Sequence, residues 1–128
     1  SGGQQDAAGD RFYQPTLLTN VTDDMEIAQA ELFGPISTVF KFEDEEEVIE
    51  RANNTPYGLA AYVYTRDIGR VWRVSEELEY GMVGVNEGMI SNELAPFGGV
   101  KESGIGREGS RHGMDDYMEL KYICMGGI

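Results

Sequence analysis

The stretch ESGIGREGS, residues 102–110, sets Gly104, Gly106 and Gly109 at the G-x-G-x-x-G spacing of a loop that cradles a dinucleotide pyrophosphate. That chemistry needs a buried strand leading into the first glycine and an amphipathic helix opening at the last. It also needs an acid about 20 residues further on to hold the ribose. The approach here, APFGGVKES, carries Pro96, Lys101 and Glu102 and is not a buried strand. SRHGMDDY follows Gly109 without an apolar helical period, and Glu108 would set a carboxylate beside a pyrophosphate. The glycines read instead as a surface path that needs positive φ or close backbone approach.

Cys124 and His112 are the single cysteine and the single histidine. A Cys–His nucleophilic pair is one use for them. Cys124, however, falls among Tyr122, Ile123 and Met125 in an alternating run, where a buried structural thiol is the simpler reading. Two soft ligands are too few for a zinc site. The acids Asp44–Glu47 lack the alternating ligand spacing and central glycine of a calcium loop and read as a solvated helix start, so no metal is expected. Asp115 and Asp116 read as a turn or cap, and spacing assigns no carboxylate pair to acid–base work.

AELFGPI, residues 30–36, offers a different chemistry. Glu31 stands two residues before Phe33, at a Gly34-Pro35 turn that leads into a strand. A carboxylate so placed can accept two hydrogen bonds from a vicinal diol such as a ribose, while the aromatic lies against a planar ring. The plainer reading of the same residues is a helix-end glutamate and a core phenylalanine.

The elements that position these groups follow from pattern. The opening ten residues are polar and loop-like, RFYQPTLLTNV reads as an extended, proline-interrupted edge, and TDDMEIAQAELFG as a short helical or irregular stretch. ISTVFKF (36–42) is a β-branched and aromatic strand. EDEEEVIERANN (43–54) has acids first and Arg51 late, the order a helix dipole favours, and Pro56 and Gly58 stop it. LAAYVYT (59–65) is a strand. RDIGRVWRVSEELE (66–79) is a helix with Asp67 as N-cap and Ile68, Val71, Trp72, Ser75 and Leu78 on one face. MVGVN (82–86) is a short buried strand. The order β-α-β-α-β predicts an α/β fold with the three strands parallel in one layer of a three-layer arrangement. DYMELKYICMG (116–126) alternates and reads as a strand outside that layer. Ligands of such sheets sit beyond the carboxyl ends of the strands, which directs attention to residues 87–99.

The chain has 128 residues, enough for one domain core, with 10 basic and 23 acidic side chains and a net charge of −13. Phosphate backbones repel that charge, so nucleic acid is not an expected partner. No apolar run approaches the roughly 20 residues of a membrane span, and no signal peptide or polybasic anchor is read. A lone cysteine suits a reducing compartment, hence a cytoplasmic location. A chain that opens on Ser1 rather than Met reads as a fragment or a processed form.

Four stretches together carry a resemblance: ELFGPI, ANNTPYGLAAYVYTRD, GMVGVNEGMISNELAPFGGVKESGIGREGS and DYMELKYICMGG. They resemble the carboxyl-terminal part of NAD(P)-dependent aldehyde dehydrogenases, and their wording is most similar to the succinate-semialdehyde subgroup. The resemblance implies that residues 1–111 belong to the catalytic domain and 112–128 form a terminal oligomerisation strand. It implies that Glu31 hydrogen-bonds the nicotinamide ribose of NAD or NADP, that Phe33 positions the nicotinamide end, and that Phe97 lines the aldehyde tunnel. In the subgroup, Ser91 would help hold the distal carboxylate of the substrate. PFGGVKxSGxGRE then follows the active-site strand, with the dinucleotide domain upstream, so the glycine spacing of 104–109 is coincidental. The nucleophilic cysteine and general-base glutamate of that family precede this region. No catalytic residue is therefore expected in this chain, and the isolated chain is expected to be inactive. This chain is expected to self-associate as a homo-oligomer, a two-fold dimer with 116–126 at or near the contact.

Overall fold

The computed structural model describes residues 1–127, which divide into two compact units, Ser1–Glu47 and the residues from Val48 on. In the first, β1 (Thr16–Leu18) pairs in parallel with β2 (Ile36–Thr38), Thr16 opposite Ile36. One helical turn, α1 (Glu26–Gln29), lies between them in sequence. Thr16 is buried, and its hydroxyl donates to the Gln14 carbonyl at 2.7 Å and accepts from Gly3 N–H at 2.8 Å. A polar side chain satisfied on both sides can sit in a core without the usual desolvation penalty. The expected strand 36–42 is shorter than its composition suggests. Its last inter-strand bond runs from Val39 N–H to the Leu18 carbonyl, and beyond Leu18 its partner β1 has ended.

The acid run is a helix cap, as its composition predicts. Glu47 N–H donates to Asp44 Oδ1 at 2.9 Å, and Glu43 N–H donates to Glu47 Oε2 at 2.7 Å. These bonds satisfy amides that the first turn of α2 (Glu45–Asn53) leaves without helical partners.

The second unit is built on a parallel pair. β4 (Ala60–Val63) and β5 (Met82–Val85) run side by side in register from Ala60 opposite Met82 to Val63 opposite Val85. The helix α3 (Ile68–Glu77) is the crossover between them. Asp67 caps it, accepting from Gly69 and Arg70 N–H at 2.8 and 3.2 Å, a contribution of about 1 kcal/mol. A second, antiparallel pair joins β3 (Tyr57–Gly58) to β6 (Val100–Lys101). A 3-10 helix spans His112–Tyr117.

Three expectations need correction. The strands do not form one parallel layer: β2 pairs with β1, so the described residues hold three two-stranded sheets. Residues 116 and 117 close the 3-10 helix, and 118–127 join no ladder, so the alternating run is not a paired strand here. Alternation specifies two faces; a strand also needs a neighbour, and none is supplied. The burial of α3 also differs from the expected face. Val74 is its buried residue, whereas Ile68 and Trp72 are 71% and 64% exposed. Val71, Ser75 and Leu78 from the expected stripe are half-buried.

The helix ends are bound together by one amide. Asn53 Nδ2 donates to the Glu77 carbonyl at 2.8 Å, and its Oδ1 accepts from Glu79 N–H at 2.8 Å. Tyr80 donates from its hydroxyl to the Ala52 carbonyl at 2.7 Å. The Lys101 ammonium donates to the carbonyls of Asn53 and Thr55 at 2.8 and 3.2 Å and pairs with Glu79. Cationic donors at the end of a helix complement its unpaired carbonyls. One cluster thus fixes α2, α3 and β6 against each other.

Candidate functional site

At the carboxyl end of the parallel pair the chain turns at Asn86, which adopts a positive φ of 54°. Its amide holds Thr65, at the exit of β4, by two hydrogen bonds: Thr65 N–H donates to Oδ1 at 2.9 Å and Nδ2 donates to the Thr65 carbonyl at 2.8 Å. Residues 87–99 leave from this point, as expected for a ligand-facing loop of an α/β unit. Glu87 and Asn92 cap successive turns, accepting from Met89 and Leu94 N–H at 2.9 and 2.7 Å. Ser91 precedes the second turn and is exposed.

Phe97 begins a closed loop. Its N–H donates to the Glu108 carbonyl at 2.9 Å, and Glu108 N–H donates back to the Phe97 carbonyl at 2.7 Å. Between these residues the loop is tied down at its tip. Gly58 N–H donates to Ser103 Oγ and Glu102 N–H donates to the Pro56 carbonyl, both at 2.9 Å. Inside it, Arg107 Nη1 donates to the carbonyls of Gly99 and Gly106 at 2.7 and 2.9 Å. An open cavity of about 680 Å³ lies along this loop, with Phe97, Arg107, Glu108, Asp116, Tyr117 and Leu59 among its lining.

The glycines behave as their surroundings predict and not as a phosphate cradle. Gly104 and Gly109 have positive φ, 150° and 63°. A Cβ on Gly106 would collide with the Asp116 carboxylate. A carboxylate at that place repels a pyrophosphate, and a short 3-10 helix follows in place of the long helix whose N-terminus would bind one.

Glu31 and Phe33 lie in the other unit. α1 ends at Gln29, Ala30 is extended, and both side chains project from the turn that precedes β2. Phe33 is 94% exposed, so it is not the core aromatic that the plainer reading makes it. The pair therefore keeps a carboxylate and a ring face available, the two features that a ribose and a planar base edge require.

Cys124 is exposed, against the buried thiol expected of its apolar neighbours. Among the described residues its segment joins no ladder. His112 instead faces Asp115, Nδ1 to Oδ2 at 3.7 Å. Among the described residues no group of three His, Cys, Asp or Glu side chains converges on a point, and no helix is long and apolar enough to cross a membrane. Sequence reasoning missed Arg107, Asn86 and Lys101. The signal for the last two was present but local: Asn tolerates positive φ, and a lysine directly after a glycine-rich turn can reach helix-end carbonyls.

The chain matches the aldehyde dehydrogenase family over residues 1–123. It is 61% identical to the 3-sulfolactaldehyde dehydrogenase of Pseudomonas putida over 128 residues, all of this chain and 26% of that protein. The crystal structure of succinate-semialdehyde dehydrogenase from Burkholderia pseudomallei superposes with a TM-score of 0.92 at 60% identity, covering 98% of this chain and 26% of that one. An NAD+ complex of an aldehyde dehydrogenase from Bacillus cereus superposes with a TM-score of 0.88 at 47% identity, over 94% of this chain and 25% of that one. The chain thus spans about a quarter of the length of the relatives it matches.

Proposed function

The chain belongs to the aldehyde dehydrogenase family, and we propose that it is a carboxyl-terminal portion of a cytoplasmic, NAD(P)-dependent enzyme that oxidises succinate semialdehyde, or a similar aldehyde with a distal anion, to the acid. The observation that carries this reading is the exposed Glu31–Phe33 pair on a backbone that superposes on an NAD+-bound relative. A large aromatic left 94% exposed has no packing role in its own unit and is free to lie against a ring.

In this reading Glu31 accepts hydrogen bonds from the nicotinamide ribose diol, and Phe33 holds the nicotinamide end in place. The cofactor, when bound, supplies the acceptor for the aldehyde hydride. Phe97 forms part of the wall along which the aldehyde enters. Ser91 donates from its hydroxyl to the distal carboxylate or sulfonate. The nucleophilic cysteine and the general base lie outside these 128 residues, and Cys124 takes neither role. The relatives' names fit a distal anion: one substrate carries a sulfonate, the other a carboxylate.

The exposed apolar side chains support the reading as a portion of a larger body. Trp72, Ile68, Leu94 and Ile105 are all exposed, and the buried apolar core of the described residues is Val21, Ile49 and Val74. Residues 112–128 act in assembly: 118–127 are exposed and unpaired, the condition of a strand that completes its ladder with a second subunit.

The test is NAD(P)H production by the full-length parent with succinate semialdehyde, beside the isolated 128-residue chain at high concentration. Turnover by the parent and none by the isolated chain is expected. Turnover by the isolated chain that is lost in Cys124→Ser would overturn the assignment of the nucleophile.

A further inference from the structure

The 97–108 loop contains a restraint whose purpose its own sequence does not announce. Phe97 is followed by Gly98 and Gly99, two residues with no side chain to limit the backbone. A ring placed before two glycines swings freely unless something fixes the peptides after it. Arg107 does this. Its Nη1 bridges the Gly99 and Gly106 carbonyls, and its stem covers Gly98, where a Cβ would stand 2.9 Å from Arg107 Cδ. The bonds are charge-assisted, hence stronger than neutral ones, and the one to Gly99 is partly buried. The two-bond bridge between Phe97 and Glu108 closes the loop directly beside it.

From this geometry we propose that Arg107 is a positioning residue for Phe97: it holds the Gly99 carbonyl and covers Gly98, and so restrains the backbone that carries the ring facing the aldehyde. The effect on substrate rests on the reading of Phe97 as tunnel wall; the hold on the ring does not. Arg107 touches no reacting atom in this scheme. It acts on aldehyde affinity through Phe97 and leaves the cofactor clamp at Glu31 and Phe33 alone. A lysine keeps charge and stem but offers a compact ammonium in place of a planar fork, so it restores the hold in part.

The experiment uses the full-length parent with 4-fluorophenylalanine at position 97, together with Arg107→Met and Arg107→Lys. Fluorine resonance reads the ring directly. One sharp line is expected in the parent, several or broadened lines in Arg107→Met, and a partial return in Arg107→Lys. In steady-state kinetics without the label, Arg107→Met raises the aldehyde KM about 10- to 100-fold, the range for hydrogen bonds to a charged group. The cofactor KM is unchanged. On a Phe97→Ala background the same substitution adds little, because the residue it acts through is gone. An unaltered fluorine line in Arg107→Met overturns the proposal, as does a full, additive KM effect on the Phe97→Ala background. A disturbed line with no change in aldehyde KM in either Arg107→Met or Phe97→Ala upholds the hold of Arg107 on the ring and removes the tunnel role of Phe97.

Discussion

Asn86 holds Thr65 by both ends of its amide, accepting from its N–H at 2.9 Å and donating to its carbonyl at 2.8 Å. The pair copies one more rung of the β4–β5 ladder with a side chain, at the point where the backbones diverge. It also sets the direction in which residues 87–99 depart. Asn86→Ala loses both bonds, and with them the local side-chain hydrogen bonding by which asparagine tolerates a φ of 54°. The expected cost is about 1–3 kcal/mol. Asn86→Gly relieves the backbone conformation and loses only the bonds, so its cost is smaller. Thermal unfolding of the full-length parent ranks the three proteins; equal stability of Asn86→Ala and the parent would show that the amide bonds contribute nothing.

Glu31→Gln in the parent keeps the size of the side chain and removes its charge. In the proposed role, its hydrogen bonds to the ribose would then become neutral ones. The loss, roughly 1.5–3 kcal/mol for bonds that depend on a charged acceptor, corresponds to about a 10- to 150-fold weakening of cofactor binding or slowing of hydride transfer. Titration of cofactor into the two proteins and single-turnover kinetics check it. Unchanged values in both would remove Glu31 from the cofactor site.

Ser91→Ala changes selectivity more than rate. In the proposed role the exposed hydroxyl donates to the distal anion, so the expected rise in KM for succinate semialdehyde is about 5- to 150-fold, the equivalent of roughly 1–3 kcal/mol. An uncharged aldehyde of the same length is little affected. Equal losses for the two aldehydes would mean that Ser91 only supports the turn capped by Asn92.

Removal of residues 118–128 lowers the oligomeric state of the parent. The exposed run alternates Met118, Leu120, Tyr122 and Cys124 with Glu119, Lys121, Ile123 and Met125, and it has no ladder partner among the described residues. The proposed role for such a run is to pair with another chain. Sedimentation velocity at tens of micromolar, roughly the range in which a useful interface is populated, compares the two lengths. An unchanged sedimentation coefficient beyond the small loss of mass would assign the run to its own subunit.

The parts of this chain that were legible in its sequence are those that depend on near neighbours. Asp67 announces α3 because a carboxylate before a helix satisfies amides two and three residues on. Asp44 announces α2 in the same way, and Glu47 reaches back from inside the helix to the Glu43 N–H. The order β4-α3-β5 follows, because two strands joined by one helix lie parallel. The mismatch of 102–110 with a phosphate loop was also visible, in the residues on either side of the glycines. The motif wording carried the family.

What only the tertiary structure decided depends on groups far apart in the chain or on partners that pattern does not name. ISTVFKF has strand composition throughout, yet its ladder stops after Thr38 because β1 stops at Leu18. Residues 116–126 alternate like a strand and pair with nothing among the described residues. Trp72 and Ile68 sit on an apolar stripe and stay exposed, while Val74 turns inward. Phe33, a core residue by composition, stands open beside Glu31. Arg107 reads as one more surface charge until the loop brings the Gly99 carbonyl within 2.7 Å of it. Caps and turns are satisfied within a few residues, so type and spacing determine them. Burial, ladder length and the reach of a long cationic side chain are set by where the rest of the chain passes, and that is a property of the fold alone.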